Sequence, residues 1–206
     1  MVLGAWCARE AHATAYTTRP QALAEAFPGA RIETRSFVLD AAQAKAIQDR
    51  ARVRLESMLA SAHLAWRGDT LLGTAFFDAR TVRTMPGVFM VVVAPDATIE
   101  RIEVIAFHEP PDFRPPDRWL GQFQRRRLND RLWPRRDIRN LSGATLSTRA
   151  VTESARLSLA LYQILVAPRL GPKPKAPSDA TIESPAPAPR DTTPPPKPRR
   201  ARKGKP

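Results

Sequence analysis

The chain has 206 residues, 43% of them hydrophobic, and a formal net charge of +13, which fits one domain with appendages better than two full domains. No run approaches the ~18 to 20 apolar residues of a membrane span, and a single cysteine, Cys7, excludes an internal disulfide and any Cys-based zinc or iron–sulfur site. The three histidines, His12, His63 and His108, form no i, i+4 pair and have no carboxylate-rich cluster near them, which argues against a protein metal site.

Residues 1–8 are apolar, and Ala11-His12-Ala13 and Ala13-Thr14-Ala15 both have the small-x-small form of a signal-peptidase site, although a positively charged leader is missing. Residues 1–18 are therefore expected to be a signal-peptide remnant or a disordered leader, and the protein to be periplasmic or otherwise extracytoplasmic. Trp6 is too bulky for the position before a lipoprotein cysteine. Next, Pro20 near a helix start and the stop at Pro28-Gly29 predict a short helix over 19–27. Alternation through Ile32, Phe37 and Leu39 predicts a strand over 31–39, and Asp40 can cap a helix running to Glu56.

From His63 the period becomes that of strands. Segments 63–67 and 71–82 flank Gly68-Asp69-Thr70, and 88–93 is separated from 99–107 by a turn at Pro95-Asp96-Ala97, which predicts an antiparallel meander. The run 88–93 does not alternate, the pattern of a central strand covered on both faces. The proline-rich segment 109–117 must be a loop. A helix is predicted over 118–132, anchored by Trp119, Leu120, Phe123 and Leu128 and ended by Pro134. The clearest helix is 148–166, where Val151, Ala155, Leu159, Tyr162 and Val166 recur at helical spacing. The fold class is α+β: an antiparallel sheet packed with helices, the domain spanning 19–167.

Residues 168–206 hold ten Lys or Arg against three acids and twelve of the 21 prolines. With almost no large apolar residues, this tail is expected to be disordered and partly polyproline II. Its basic residues suit anionic lipid at about 1 kcal/mol each near a surface.

The segment 137–151 is a polar approach, a small-residue turn at Ser142-Gly143-Ala144, a cluster of hydroxyls and then a helix. Two readings stay open on the residues alone. Ser142, Thr145, Ser147 and Thr148 can simply cap free helix N–H groups. Alternatively, a phosphate joined to Thr145 would lie at the positive end of the helix, with Gly143 and Ala144 offering no bulk to obstruct a ligand.

Ser142-Gly-Ala-Thr-Leu-Ser147 followed by Ala150-Val151 resembles the motif of FMN-binding domains, such as those in the C and G subunits of sodium-pumping NADH:quinone reductase and the related Rnf complex, and of their stand-alone periplasmic relatives. Phe107-His-Glu-Pro-Pro-Asp-Phe113 with Trp119 and Phe123 resembles the loop after the sheet in these domains; Arg80-Thr-Val-Arg-Thr84 and Ala26-Phe-Pro-Gly-Ala30 resemble the stand-alone members. The resemblance implies a flavoprotein of electron transport, with FMN carried on Thr145 through its phosphate. An FAD:protein FMN transferase that requires Mg²⁺ would attach it, and redox donor and acceptor proteins, membrane-bound ones included, would be partners. It further implies flavin contacts by Ser142, Gly143, Ala144, Ser147, Glu109, Phe113 and Trp119. One departure stands out: many members carry aspartate three residues before the first hydroxyl of the motif, where this chain has Arg139 and places its aspartate at Asp137.

Bland readings accompany these. Glu109 can be a solvated loop charge, Trp119 and Phe113 can be core anchors, and His108 reads as structural. The arginines between 125 and 139 with Trp133 suggest an alternative function, a cofactor-free basic protein recruiting nucleic acid or acidic surfaces, although a solvated basic helix is the commoner outcome. No acid–base pair aimed at a small substrate stands out, which favours an electron carrier over a self-sufficient enzyme.

Overall fold

The computed structural model describes residues 14–170; residues 1–13 of the expected leader and 171–206 of the expected tail lie outside them. One antiparallel sheet has the order β1-β6-β5-β4-β3-β2, built from β1 (Thr14–Ala15), β2 (Arg31–Val38), β3 (Leu59–Arg67), β4 (Thr70–Thr81), β5 (Pro86–Val93) and β6 (Ile99–Phe107). From β2 to β6 each strand pairs with its neighbour in sequence, so the meander read from the alternation is the one that forms. Thr14 and Ala15 pair with Phe107 and Ala106, which draws the end of the expected leader into the sheet.

Four helices, α1 (Arg19–Ala26), α2 (Ala41–Ala51), α3 (Asp117–Leu120) and α4 (Thr145–Leu161), complete an α+β architecture. Capping boxes start the first two. Thr18 and Asp40 accept the amides of Gln21 and Gln43, whose side chains return to the Thr18 and Asp40 amides. α1 covers one face of the sheet, where Ala22, Leu23 and Phe27 meet Ala65, Met90, Val92 and Ile105. α2 and α4 belong to the other layer, in which Ile47, Val151 and Leu159 join Phe89, Val91 and Val93. Alternate residues of β5 thus enter opposite layers, which is why its sequence does not alternate. Gly73 is closely approached by the first layer: a Cβ there would lie 3.1 Å from the Phe27 ring and 3.2 Å from the Val93 carbonyl, tighter than ordinary contact.

The helix predicted over 118–132 is not formed beyond its first turns. After α3 comes a 3₁₀ turn, Gly121–Phe123, and the chain then runs irregularly to the motif. Arg125 takes a left-handed backbone (φ 58°). Its amide donates to the Ile99 carbonyl (2.7 Å), while the Ile99 amide donates to the Arg126 carbonyl (2.9 Å). Bonding to the sheet replaces the bonds a helix would make. Leu132 and Ile138 are buried nonetheless, reached by an extended path instead of by helical spacing. The last helix also differs from expectation. It begins at Thr145, three residues earlier than predicted, and gives way to a π turn, Tyr162–Val166, and a 3₁₀ turn, Ala167–Arg169.

Arg156 of α4 holds the irregular segment in place. Its side chain, on a residue 1% exposed, donates to the carbonyls of Ala51 (2.6 Å), Asn129 (2.7 Å) and Leu132 (3.1 Å) and lies 4.5 Å from the Trp133 ring centroid. Three backbone carbonyls from two distant segments are thereby gathered by one cation, a charge-assisted arrangement stronger than neutral pairs. Arg156→Met, which fills similar volume but cannot donate, should destabilise the fold by about 3 kcal/mol or more. Denaturant unfolding at neutral pH measures this, and a loss below about 1 kcal/mol would mean that water or rearrangement replaces the guanidinium.

Candidate functional site

The motif turn is fixed from beneath. Gly143 has φ 78°, in the left-handed region that glycine occupies without strain, and the Ala144 amide donates to the Leu141 carbonyl (3.1 Å). Thr148, fully buried, donates through Oγ1 to the Ala144 carbonyl (3.1 Å) and accepts the Leu141 amide (3.2 Å). Thr148 therefore braces the turn instead of capping the helix. The N-cap position is Ala144, which has no side-chain oxygen, and no side chain caps α4. Ser142 is exposed on the turn. The capping reading of the hydroxyl cluster does not hold, and the first N–H groups of α4, from Thr145 to Ser147, stay available to an anion.

Thr145 is exposed and stands between two clefts. One, of about 410 Å³, is lined by Arg83, Phe113, Gly143, Ala144, Thr145, Leu146 and Ser147. The other, of about 420 Å³, is lined by Trp133, Pro134, Arg135, Arg136, Asn140, Thr145 and Arg149. Four arginines and no carboxylate line the two together. Ser147 is 1% exposed, and its Oγ has no hydrogen-bond partner; the buried Asn140 Oδ1 is likewise unpartnered. Orphaned polar atoms in the walls of a cleft are unusual in a structure that satisfies its own hydrogen bonds. Each cleft lies in the size range of small-molecule sites.

Of the residues expected around a flavin, Thr145, Gly143, Ala144, Ser147 and Phe113 line one cleft. Trp119 and Glu109 do not. Trp119 is a core anchor, edge-on to Phe123 (5.5 Å). Its Nε1 donates to the Arg139 carbonyl (2.8 Å), and the Arg139 amide donates to Gln122 Oε1 (2.7 Å), so the pair sets the course of the chain entering the motif. Asp137 meets Arg131 at 2.9 Å and Arg126 at 3.7 Å, a carboxylate committed to the protein's own cations.

Glu109 is neither a solvated charge nor a cleft-lining residue. It is 7% exposed, and its Oε1 accepts the amides of Arg83 (3.0 Å), Thr84 (2.7 Å) and Met85 (2.9 Å). Those residues form the turn between β4 and β5, and Arg83 then lies over the Phe113 ring, 4.9 Å from its centroid. Glu109 thus positions one wall of the cleft through Arg83. Sequence reasoning missed Arg83 as a site residue; its one signal was the resemblance of the stretch 80–84.

On β4, beneath α4, Arg80, 7% exposed, meets Asp78 (2.7 Å) and Glu153 (3.4 Å), and Ser154 donates to Asp78 (2.6 Å). This network ties α4 to β4 and fixes the height of Thr145 above the sheet. A larger cleft, of about 580 Å³, lies elsewhere, with Glu25, Glu103 and Asp117 among its lining residues. Burial pushes the Glu103 carboxyl up, opposed by Arg101. With Arg101 and Arg114 against three acids, it suits an anion less well than the clefts at Thr145.

Residues 85–160 match the model of the family described as the FMN-binding domain. That stretch runs from the Glu109-bound turn through β5, β6, the irregular segment and nearly all of α4. The resemblance read from the sequence is thus matched by the family model over these residues. FMN is the cofactor this match supports, and the chemistry of the clefts fits it: arginines and free helix amides suit a phosphate, and an aromatic wall beside the bare Gly143-Ala144 backbone suits a flat ring. No curated protein matched the chain.

Burial opposes ionisation of Glu109, but the backbone donors of Thr84, Met85 and Arg83 and the Arg83 charge outweigh it and hold the carboxyl below its ordinary value. With the folded-state pKa depressed, its stabilisation is present above the unfolded pKa and is lost as pH falls through the folded one. Glu109→Gln should cost about 1 to 3 kcal/mol at pH 7, and the gap to wild type should close on acidification below about pH 4. Urea unfolding of both proteins across that range checks it; a pH-independent gap would remove the charge from the explanation.

Proposed function

We propose that the protein is an extracytoplasmic FMN-binding electron carrier whose flavin phosphate is esterified to Thr145. The carrying observation is the exposed Thr145 side chain at an uncapped helix start between two clefts lined by four arginines and no carboxylate. Helix amides and guanidiniums both favour the negative charge of a phosphodiester there. The cofactor, when bound, supplies electron transfer, and the protein tunes its potential and access. Phe113 and Arg83 form the wall beside Thr145, Glu109 holds that wall in register, and Thr148 keeps the motif turn closed beneath it. No acid–base pair converges on the clefts, which supports a carrier working between donor and acceptor proteins. An FAD:protein FMN transferase is the partner that would load it, the Thr145 oxygen taking the FMN phosphoryl group as the pyrophosphate bond of FAD breaks and AMP leaves. Because Asp137 is engaged by Arg131 and Arg126, that transferase would have to recognise the motif without a free aspartate. Extracytoplasmic location rests on the small-x-small sites of the N-terminal sequence.

Protein isolated from a host that contains the transferase should be yellow and, under denaturing conditions, heavier than its sequence by one FMN less water. Thr145→Ala should remove that increment. A colourless wild-type protein of unmodified mass that binds DNA with steep salt dependence would replace this function with the basic-binding alternative. N-terminal sequencing of the native protein should find a start beyond Met1, in a periplasmic fraction; an intact Met1 in the cytoplasm would refute export.

A further inference from the structure

We infer that the free edge of β2 is a self-association surface: two copies of the chain pair their β2 strands antiparallel about a two-fold axis at Thr34, which joins their sheets into one. β2 closes one end of the sheet, and among the described residues β3 is its only strand partner. Its outer edge therefore offers a row of N–H and C=O groups with no ladder to join. Proteins commonly blunt such an edge with proline, a bulge or a very short strand. β2 uses none of these: it runs for eight residues without proline and meets β3 with no shift of register.

Charge selects both the occupant and the register. Glu33 stands between Arg31 (3.9 Å) and Arg35 (2.6 Å) on one face of the strand. Antiparallel pairing centred on Thr34 sets Glu33 directly opposite Arg35 of the second copy, and Arg35 opposite its Glu33, so the four side chains close a ring of alternating sign. Thr34 then meets Thr34, Ile32 meets Ser36 and Arg31 meets Phe37. Centring one residue earlier opposes Glu33 to Glu33, and one residue later opposes Arg35 to Arg35, both destabilising. A strand of a single sign would match only half of the alternation, whereas a second copy matches all of it. The same register brings Val38 to Ala30 of the second copy. Val38 is 82% exposed and pairs with Leu59, 59% exposed, so apolar surface collects at the end of this edge. None of the residues lining the clefts at Thr145 lies on β2, and the pairing does not depend on the flavin reading.

Sedimentation of the full-length chain in about 0.15 M salt, over roughly 1 to 100 µM, should show a reversible dimer. Glu33→Arg and Arg35→Glu should each weaken it at least about tenfold, because each makes both cross-strand pairs repulsive. An equimolar mixture of those two variants should dimerise again, as heterodimers. The double swap, Glu33→Arg with Arg35→Glu in one chain, should dimerise like wild type yet form no mixed dimer with it in native mass spectrometry, since the mixed pair opposes like charges. A thermal melt checks the fold of each variant; if a single reversal does not fold, the double swap and its failure to mix with wild type decide. A monomer across the whole range, a dimer indifferent to the single reversals, single variants that stay monomeric when mixed, or a double swap that mixes freely with wild type would overturn the β2 pairing.

Discussion

The buried guanidinium of Arg156 is the contact on which the functional half of this fold depends. Between Gln124 and Asn140 the chain forms neither helix nor strand, so its backbone acceptors have no ladder. Arg156 supplies donors to two of them and a third bond to the last residue of α2, and its face stacks on Trp133. One side chain of α4 thereby joins α2, the irregular segment and the wall of the arginine-lined cleft. A short apolar side chain there would deprive the buried carbonyls of Ala51 and Leu132 of this donor, a cost larger than the net gain of an ordinary hydrogen bond.

The rest of the site is arranged along the same helix. About two turns before Arg156, Thr148 braces the motif turn, and the start of the helix is left uncapped. Between them the Arg80, Asp78, Glu153 and Ser154 network ties the helix to β4. Glu109 works from the other side, gathering three amides so that Arg83 faces Phe113. The polar residues packed inside this layer are consequently positioning groups, and the surface they position is cationic. This division assigns the buried carboxylates to holding the scaffold and leaves the clefts at Thr145 to the arginines.

Much of the sheet was legible because its determinants are local. Alternation in β3 and β4, turn residues at Gly68-Asp69 and Pro95-Asp96, and the cap at Asp40 each act within a few residues. The helix expected over 118–132 failed because spacing of Trp119, Leu120, Phe123 and Leu128 reports which residues are buried, and an irregular chain can bury the same residues. Its hydrogen bonds are settled by Ile99 and Arg156, both distant in sequence. The cluster Ser142, Thr145, Ser147 and Thr148 read as potential caps because hydroxyls favour helix starts. Their separate fates depended on which face of α4 packs on the sheet: Thr148 and Ser147 turn inward, Thr145 outward.

By itself the sequence determined the class of the fold, the position of the motif at a helix start and the family resemblance that the match over 85–160 bears out. These follow from periodicity, caps and a contiguous string of residues, all carried by near neighbours. Tertiary structure alone decided that Glu109 braces a turn, that Trp119 belongs to the core, that Arg83 joins the site and that arginines surround Thr145 on both sides. Charge and burial of that kind arise from residues far apart in the chain brought within a few ångströms, and spacing along a sequence does not encode those distances.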